Sequence, residues 1–129
     1  MIAIDTSALI AVVLNEAQAA HCEAALTSDP DLMISAGTLA EALIVANRRG
    51  VSDEMAHLIG HLALHVEPVT SSFAWLVGEA HARWGKGMHP AALNFGDCFA
   101  YALAKQRDLP LLFIGGDFKR TDLRPAISA

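Results

Sequence analysis

The chain is expected to fold as an α/β domain in three layers, a parallel sheet covered by helices on both faces, and two observations predict this. Short apolar runs alternate with longer stretches of helical periodicity, and strands separated by helices build parallel sheets. Hydrophobic residues make up 53% of the chain and charged residues 18%, a balance that fits elements buried on more than one face and excludes disorder. With 129 residues, no internal repeat and no linker-like stretch, residues 1–129 are expected to form a single domain.

The first apolar run, IAID at residues 2–5, reads as a strand ended by a carboxylate. Thr6 or Ser7 is expected to N-cap the helix that follows, to about Asn15, and a second helix covers about 17–27. LMIS at 32–35 is the second strand. A helix from about 36 to 49 comes next, with Arg48 and Arg49 in its last turn and Gly50 as its stop. Ser52 caps a fourth helix whose first turn holds Asp53 and Glu54. HVEPV at 65–69 is a third strand that Pro68 keeps short or at an edge. Ser71 or Ser72 opens a fifth helix to about Lys86, Asn94 opens a sixth that ends before Pro110, and LLFI at 111–114 is the fourth strand. The connection GKGMHPAAL at 85–93 is expected to climb back to the upper edge of the sheet, a span of about 24 Å that extended chain can cover.

No apolar run reaches the roughly 18 residues of a membrane span, because Asp5, Asn15 and Glu16 interrupt the best candidate. No basic segment opens the chain as in a secretory signal, and a cytoplasmic location is expected. Cys22 and Cys98 lack the spacing of a metal knuckle or a disulfide framework and are expected to be reduced thiols. A net charge of −5 argues against coating nucleic acid through bulk positive charge. It leaves room for a local basic rim drawn from Arg48, Arg49, Lys86, Lys119, Arg120 and Arg124.

In an open parallel sheet the C-terminal strand ends and the following helix N-termini share one edge, where ligands bind. Asp5 lies on that edge, and Glu41, Asp97 and Asp117 are expected to reach it. Each has a local alternative: Asp5 as a cap, Glu41 closing a capping box from Thr38, Asp97 favouring its helix dipole, Asp117 in a Gly-Gly turn. Yet Glu41 stands in LAEALIVA and Asp97 in FGDCFAYALA, with little polar surface to face. Two carboxylates about 4 Å apart repel by about 4 kcal/mol at an effective dielectric of about 20, so a shared cation is called for. Mg²⁺, or Mn²⁺ in its place, suits a few carboxylates with waters completing the shell. Such an ion activates water and steadies charge on phosphorus during in-line attack on a phosphodiester. Thr6 and Ser7 are then expected to orient Asp5 or a water at the metal, since no nucleophile motif surrounds them.

MIAIDTSAL at the start, Glu41 in an apolar helix, NFGDCFAYALAK at 94–105 and LLFIGGDFKRTDL at 111–123 together resemble the PIN-domain ribonucleases of the VapC toxin type, over nearly the whole chain. The resemblance implies a PIN-like α/β/α fold of four to five strands in the order 3-2-1-4-5, with a short fifth strand near residues 124–127. It implies a Mg²⁺- or Mn²⁺-dependent endoribonuclease toxin of a type II toxin-antitoxin system, acting on RNA, homodimeric, and blocked by a VapB-type antitoxin. On the matching positions Asp5, Glu41 and Asp97 become metal-site acids and Asp117 the fourth. Many such domains carry Ser or Thr two residues before the last acid, where this chain has Gly115, so Asp122 in KRTD competes with Asp117.

Other patterns are read as structural. His57, His61 and His65 recur every four residues, but the first and third would stand about 12 Å apart along a helix, too far for one ion. WGKG lacks the spacing of a phosphate loop. Trp75 and Trp84 are expected in the core or a dimer interface, and His81, Lys86 and His89 in solvent. A receiver-like Mg²⁺-binding switch domain would need paired acids after the first strand and a Lys after the last. A haloacid-dehalogenase-type phosphatase would need Asp where Ser7 stands. A catalytically inactive PIN scaffold that only binds a partner is the third alternative.

Overall fold

The structure is a computed structural model and describes residues 1–127. Strand β1 (Ile2–Ile4) leads into helix α1 (Thr6–Val13), then come α2 (Ala19–Ser28), β2 (Leu32–Ser35), α3 (Ala36–Arg48) and α4 (Ser52–His61). Strand β3 (Leu64–Glu67), α5 (Ser71–Trp84), α6 (Phe95–Arg107), β4 (Leu111–Leu112) and a 3-10 turn at Asp117–Arg120 complete the chain. The strands form one parallel sheet in the order β3-β2-β1-β4. The expected fifth strand is reduced to a single bridge, Pro125 beside Leu111, which continues the sheet past β4 in the expected place.

Alternation within the strands builds the three layers. Ile2, Ile4, Leu32, Ile34 and Leu112 point to one face and pack with α1 to α4, while Ala3, Met33 and Leu111 point to the other and pack with α5 and α6. Both faces are thus buried, which is why β1 and β2 are apolar at nearly every position. Strand β3 is half exposed, as an edge strand is, and Pro68 follows it rather than interrupting it. Among the described residues no helix is long and apolar enough to cross a membrane. Cys22 and Cys98 are free and buried, on opposite faces of the sheet.

Helix starts differ from expectation in instructive ways. Asp5, not Thr6 or Ser7, caps α1, its side chain accepting from the Ser7 N–H. Ser35 caps α3 by accepting from the Gly37 N–H, so the helix is already under way at Ala36, two residues before Thr38, and the Thr38–Glu41 capping box does not form. Ser52 is the first residue of α4, behind Val51 with no side-chain cap, and Thr70 rather than Ser71 or Ser72 caps α5 through the Phe73 N–H. Asn94 caps α6 with a true capping box, Asn94 Oδ1 accepting from the Asp97 N–H at 2.8 Å and Asp97 Oδ2 from the Asn94 N–H at 3.0 Å.

The connection after α5 makes no extended climb. Gly85 bridges to Leu93, with the Leu93 N–H donating to the Trp84 carbonyl at 3.0 Å and the Lys86 N–H to the Leu93 carbonyl at 2.9 Å. The loop's ends therefore meet, and α6 starts beside the end of α5. The histidine series is broken as well: His57 and His61 lie on α4 with ring centres 4.2 Å apart, whereas His65 belongs to β3. Trp84 is buried and donates to the Tyr101 hydroxyl at 2.8 Å, while Trp75 is 75% exposed and outside the core. His89 is half-buried rather than solvated, its ring edge-on to Trp84 at 4.7 Å.

Candidate active site

Asp5 stands where β1 turns into α1 at the C-terminal edge of the sheet. It is buried, and one carboxylate oxygen is fully engaged: Oδ2 accepts from the Ser7 N–H at 3.0 Å and from the Ser7 hydroxyl at 2.6 Å. Ser7 Oγ in turn accepts from the Ile114 N–H at 2.9 Å, tying the start of α1 to the end of β4. The other oxygen, Asp5 Oδ1, is buried with no hydrogen-bond partner among the described residues. A buried carboxylate oxygen left bare is costly unless something binds it.

Asp97 enters from the first turn of α6. Its Oδ2 belongs to the capping box, so the helix start itself fixes the carboxylate's direction. Glu41 enters from the second turn of α3, and Thr6 Oγ1 donates to its Oε1 at 2.7 Å. Thr6 therefore orients Glu41, and Ser7 orients Asp5. A Cβ placed on Gly96 would fall 1.9 Å from Glu41 Oε2, so the Glu41 carboxylate rests on the backbone one residue before Asp97. Gly96 is a site residue the motif reading passed over; its signal was a glycine directly before an acid at a helix start.

Asp117 opens the 3-10 turn after β4 and is exposed. Its competitor Asp122 is engaged elsewhere, accepting from the Tyr101 hydroxyl at 2.7 Å and pairing with Lys105 Nζ at 3.0 Å. These partners hold the Asp122 carboxyl below its ordinary range despite partial burial. The glycine two residues before Asp117 has a structural reason: Gly115 has φ +102, a backbone state that Ser or Thr adopts only with strain.

Asp97 feels the charge of each of the other three acids. Burial lifts the Asp97 carboxyl to about 7; the Asn94 N–H opposes this, and the charges of Asp5, Asp117 and Glu41 add to it. Burial lifts Asp5 to about 6, against the Ser7 hydrogen bonds and with help from Glu41. Among the described residues none of the four forms an ion pair, and no three acidic, histidine or cysteine side chains already converge on one point. A hard cation needing one or two carboxylates and several waters fits this donor set. Asp5 and Asp97 would supply the carboxylates, and the bare Asp5 Oδ1 is the strongest mark of the fit.

The basic residues divide. Arg48 and Arg49 close α3, about 20 Å from its start, and Arg124 pairs with Asp108 at the far end of α6. Lys119 and Arg120 lie on the turn that begins with Asp117, and Arg120 donates to the Pro90 carbonyl of the loop that carries Lys86.

A three-layer fold with buried carboxylates at the C-terminal edge of its parallel sheet is what a PIN domain presents, and the PIN domain family matches residues 2–123 of this chain. Ribonuclease VapC42 of Mycobacterium tuberculosis is 38% identical over 127 residues, covering 95% of this chain and 97% of that one. The chain belongs to the VapC family of PIN-domain ribonucleases. In fold it is similar to the crystal structure of Mycobacterium tuberculosis VapC20, a sarcin-ricin loop cleaving toxin, with a TM-score of 0.75 at 22% identity, covering 97% of this chain and all of that one. It is also similar to a toxin-antitoxin complex from Klebsiella pneumoniae, with a TM-score of 0.72 at 17% identity over the whole of both chains.

Proposed function

We propose that the chain, working as one PIN-like domain, is a Mg²⁺- or Mn²⁺-dependent endoribonuclease toxin of a type II toxin-antitoxin system. The observation that carries the reading is the uncompensated acid cluster: Asp5, Glu41, Asp97 and Asp117 from four separate elements, with Asp5 Oδ1 buried and bare. Asp5 and Asp97 would hold the principal ion and Glu41 and Asp117 would complete the acidic site, with Ser7 and Thr6 orienting Asp5 and Glu41. Bound there, a divalent ion supplies an activated water and offsets charge on the phosphodiester. Lys86, Lys119 and Arg120 give an RNA backbone a positive approach within a chain of net charge −5.

Membership of the VapC family and the similarity to a toxin-antitoxin complex support a VapB-type antitoxin as partner. Val69 and Phe95 are exposed around one surface pocket on the α5–α6 side, and exposed Trp75 lines a second that shares Ala74 and Gly78 with it; this apolar surface supports a homodimer. The site expected for an inactive scaffold is different: it has no reason to keep four unpaired acids together. Nothing resembles the lysine a receiver-like switch would place after the last strand, since Phe113, Ile114, Gly115 and Gly116 follow β4.

Antitoxin-free protein is expected to cleave RNA with Mg²⁺ or Mn²⁺ and to form no product in EDTA, with activity restored by adding the ion back. Cleavage that persists in EDTA removes the metal-dependent mechanism. Gly96→Ala gives a second expectation. The added methyl pushes Glu41 off its seat, so cleavage falls about 10- to 100-fold, whereas Ala in a helix is favoured over Gly by about 1 kcal/mol and the melting temperature holds or rises. Equal activity in the two proteins would show that the position of Glu41 is immaterial.

A further inference from the structure

Asp97, Tyr101 and Lys105 recur every four residues along α6, so their side chains leave the helix in one line. The segment after β4 runs beside that line. At one end the charge of Asp117 acts on Asp97, and five residues on Asp122 accepts from the Tyr101 hydroxyl and pairs with Lys105. The hydrogen bonds have a fixed direction. Trp84 Nε1 donates to Tyr101 Oη at 2.8 Å, and an indole N–H is a donor only, so the tyrosine's own proton is directed at Asp122 Oδ1, 2.7 Å away.

Asp117 needs such support. It is exposed and makes no side-chain hydrogen bond or ion pair among the described residues, and its turn has no side-chain cap. On its upstream side stand Gly115 and Gly116, the first with φ +102, which give the backbone the most freedom of any residue pair. Phe118 seats the turn against Phe113, ring centres 5.2 Å apart, and Arg120 reaches the Pro90 carbonyl. Phe118 is buried in the core that α6 helps to build, and among the described residues the polar contact that joins the segment to the acid-bearing helix is Asp122 on Tyr101 and Lys105.

We infer that Tyr101 and Asp122 are positioning residues for the ribonuclease reaction: their hydrogen bond, oriented by Trp84, sets the register of the 115–122 segment on α6 and holds Asp117 beside Asp97. The inference rests on the ribonuclease reading, with Asp117 as the fourth acid.

A double-mutant cycle on the full chain, free of antitoxin, tests it, with Tyr101→Phe, Asp117→Asn and both together assayed on an RNA oligonucleotide with Mn²⁺. Tyr101→Phe alone is expected to lower kcat about tenfold with KM within about twofold, and to lower it less than about twofold in the Asp117→Asn background. A role in general stability predicts the same loss in both backgrounds, and that result overturns the inference. Asp122→Asn, which keeps an acceptor for Tyr101, is expected to retain several times the activity of Asp122→Ala; equal loss in the two also counts against it. Should the wild-type chain cleave no RNA with either ion, the ribonuclease reading fails. The cycle is then read on Mn²⁺ affinity, where coupling between positions 101 and 117 upholds the register and additivity refutes it.

Discussion

Asp5→Asn and Asp97→Asn are each expected to reduce RNA cleavage on the order of 10³-fold, with the fold intact. Both substitutions keep what the carboxylate does for structure. Asn at position 5 still offers an oxygen to the Ser7 N–H that caps α1, and Asn at 97 still accepts from the Asn94 N–H in the capping box. What they remove is one negative charge and, at position 5, the ionised character of the bare Oδ1. Titration calorimetry with Mn²⁺ alongside the cleavage assay separates the alternatives: loss of both binding and cleavage is the expected pair of results. A variant that cleaves within tenfold of wild type would take that acid out of the ion site.

The same two variants are expected to be more stable than wild type above neutral pH in EDTA. Asp5 and Asp97 have folded-state carboxyls raised from 3.8 to about 6 and about 7, so the folded chain holds their protons more tightly than the unfolded chain does. The stability this gives is complete below the unfolded value near 4 and is lost as pH rises through the folded values. Taken alone the shifts correspond to about 3 kcal/mol at Asp5 and about 4 kcal/mol at Asp97, and because the two acids interact they titrate as a pair. Urea unfolding between pH 5 and pH 8 is expected to show Asp97→Asn gaining about 2–4 kcal/mol on wild type across that window. Asp29 and Asp122, whose carboxyls are lowered, slope the other way but are common to both proteins and cancel. Saturating Mn²⁺ should abolish the gap by binding the ionised wild-type pair. Parallel stability curves in EDTA would show that the two carboxylates are not strained by burial and by one another.

Much of this was readable from local pattern. β1 and β2 announce themselves as short apolar runs because both of their faces are covered, and the acids at 41 and 97 stand out because each interrupts an apolar helix. Helix starts were harder, since Thr38 and Glu41 have the spacing of a capping box and only the strand that ends at Ser35 decides against it. What could not be read were links between distant residues. Ser7 to Ile114 spans 107 positions and Tyr101 to Asp122 spans 21, and neither leaves a periodic trace. Asp122 competes with Asp117 in the sequence, and only the structure shows that Tyr101 and Lys105 claim it. The closed loop at 85–93 depends in the same way on which helix lies over which, because α5 packs on α6 and needs no path back up the sheet.

The single bridge at Pro125 closes one flank of the sheet. Leu111 donates to the Arg124 carbonyl and accepts from the Ala126 N–H, and the proline between them has no N–H to offer a newcomer. At the opposite flank β3 shows a free outer edge, with no further strand paired to it among the described residues. Growth by strand addition, whether in a crowded refolding mixture or between misfolded copies, is therefore one-sided, and a lysine or proline engineered at exposed Val66 is where solubility would be improved.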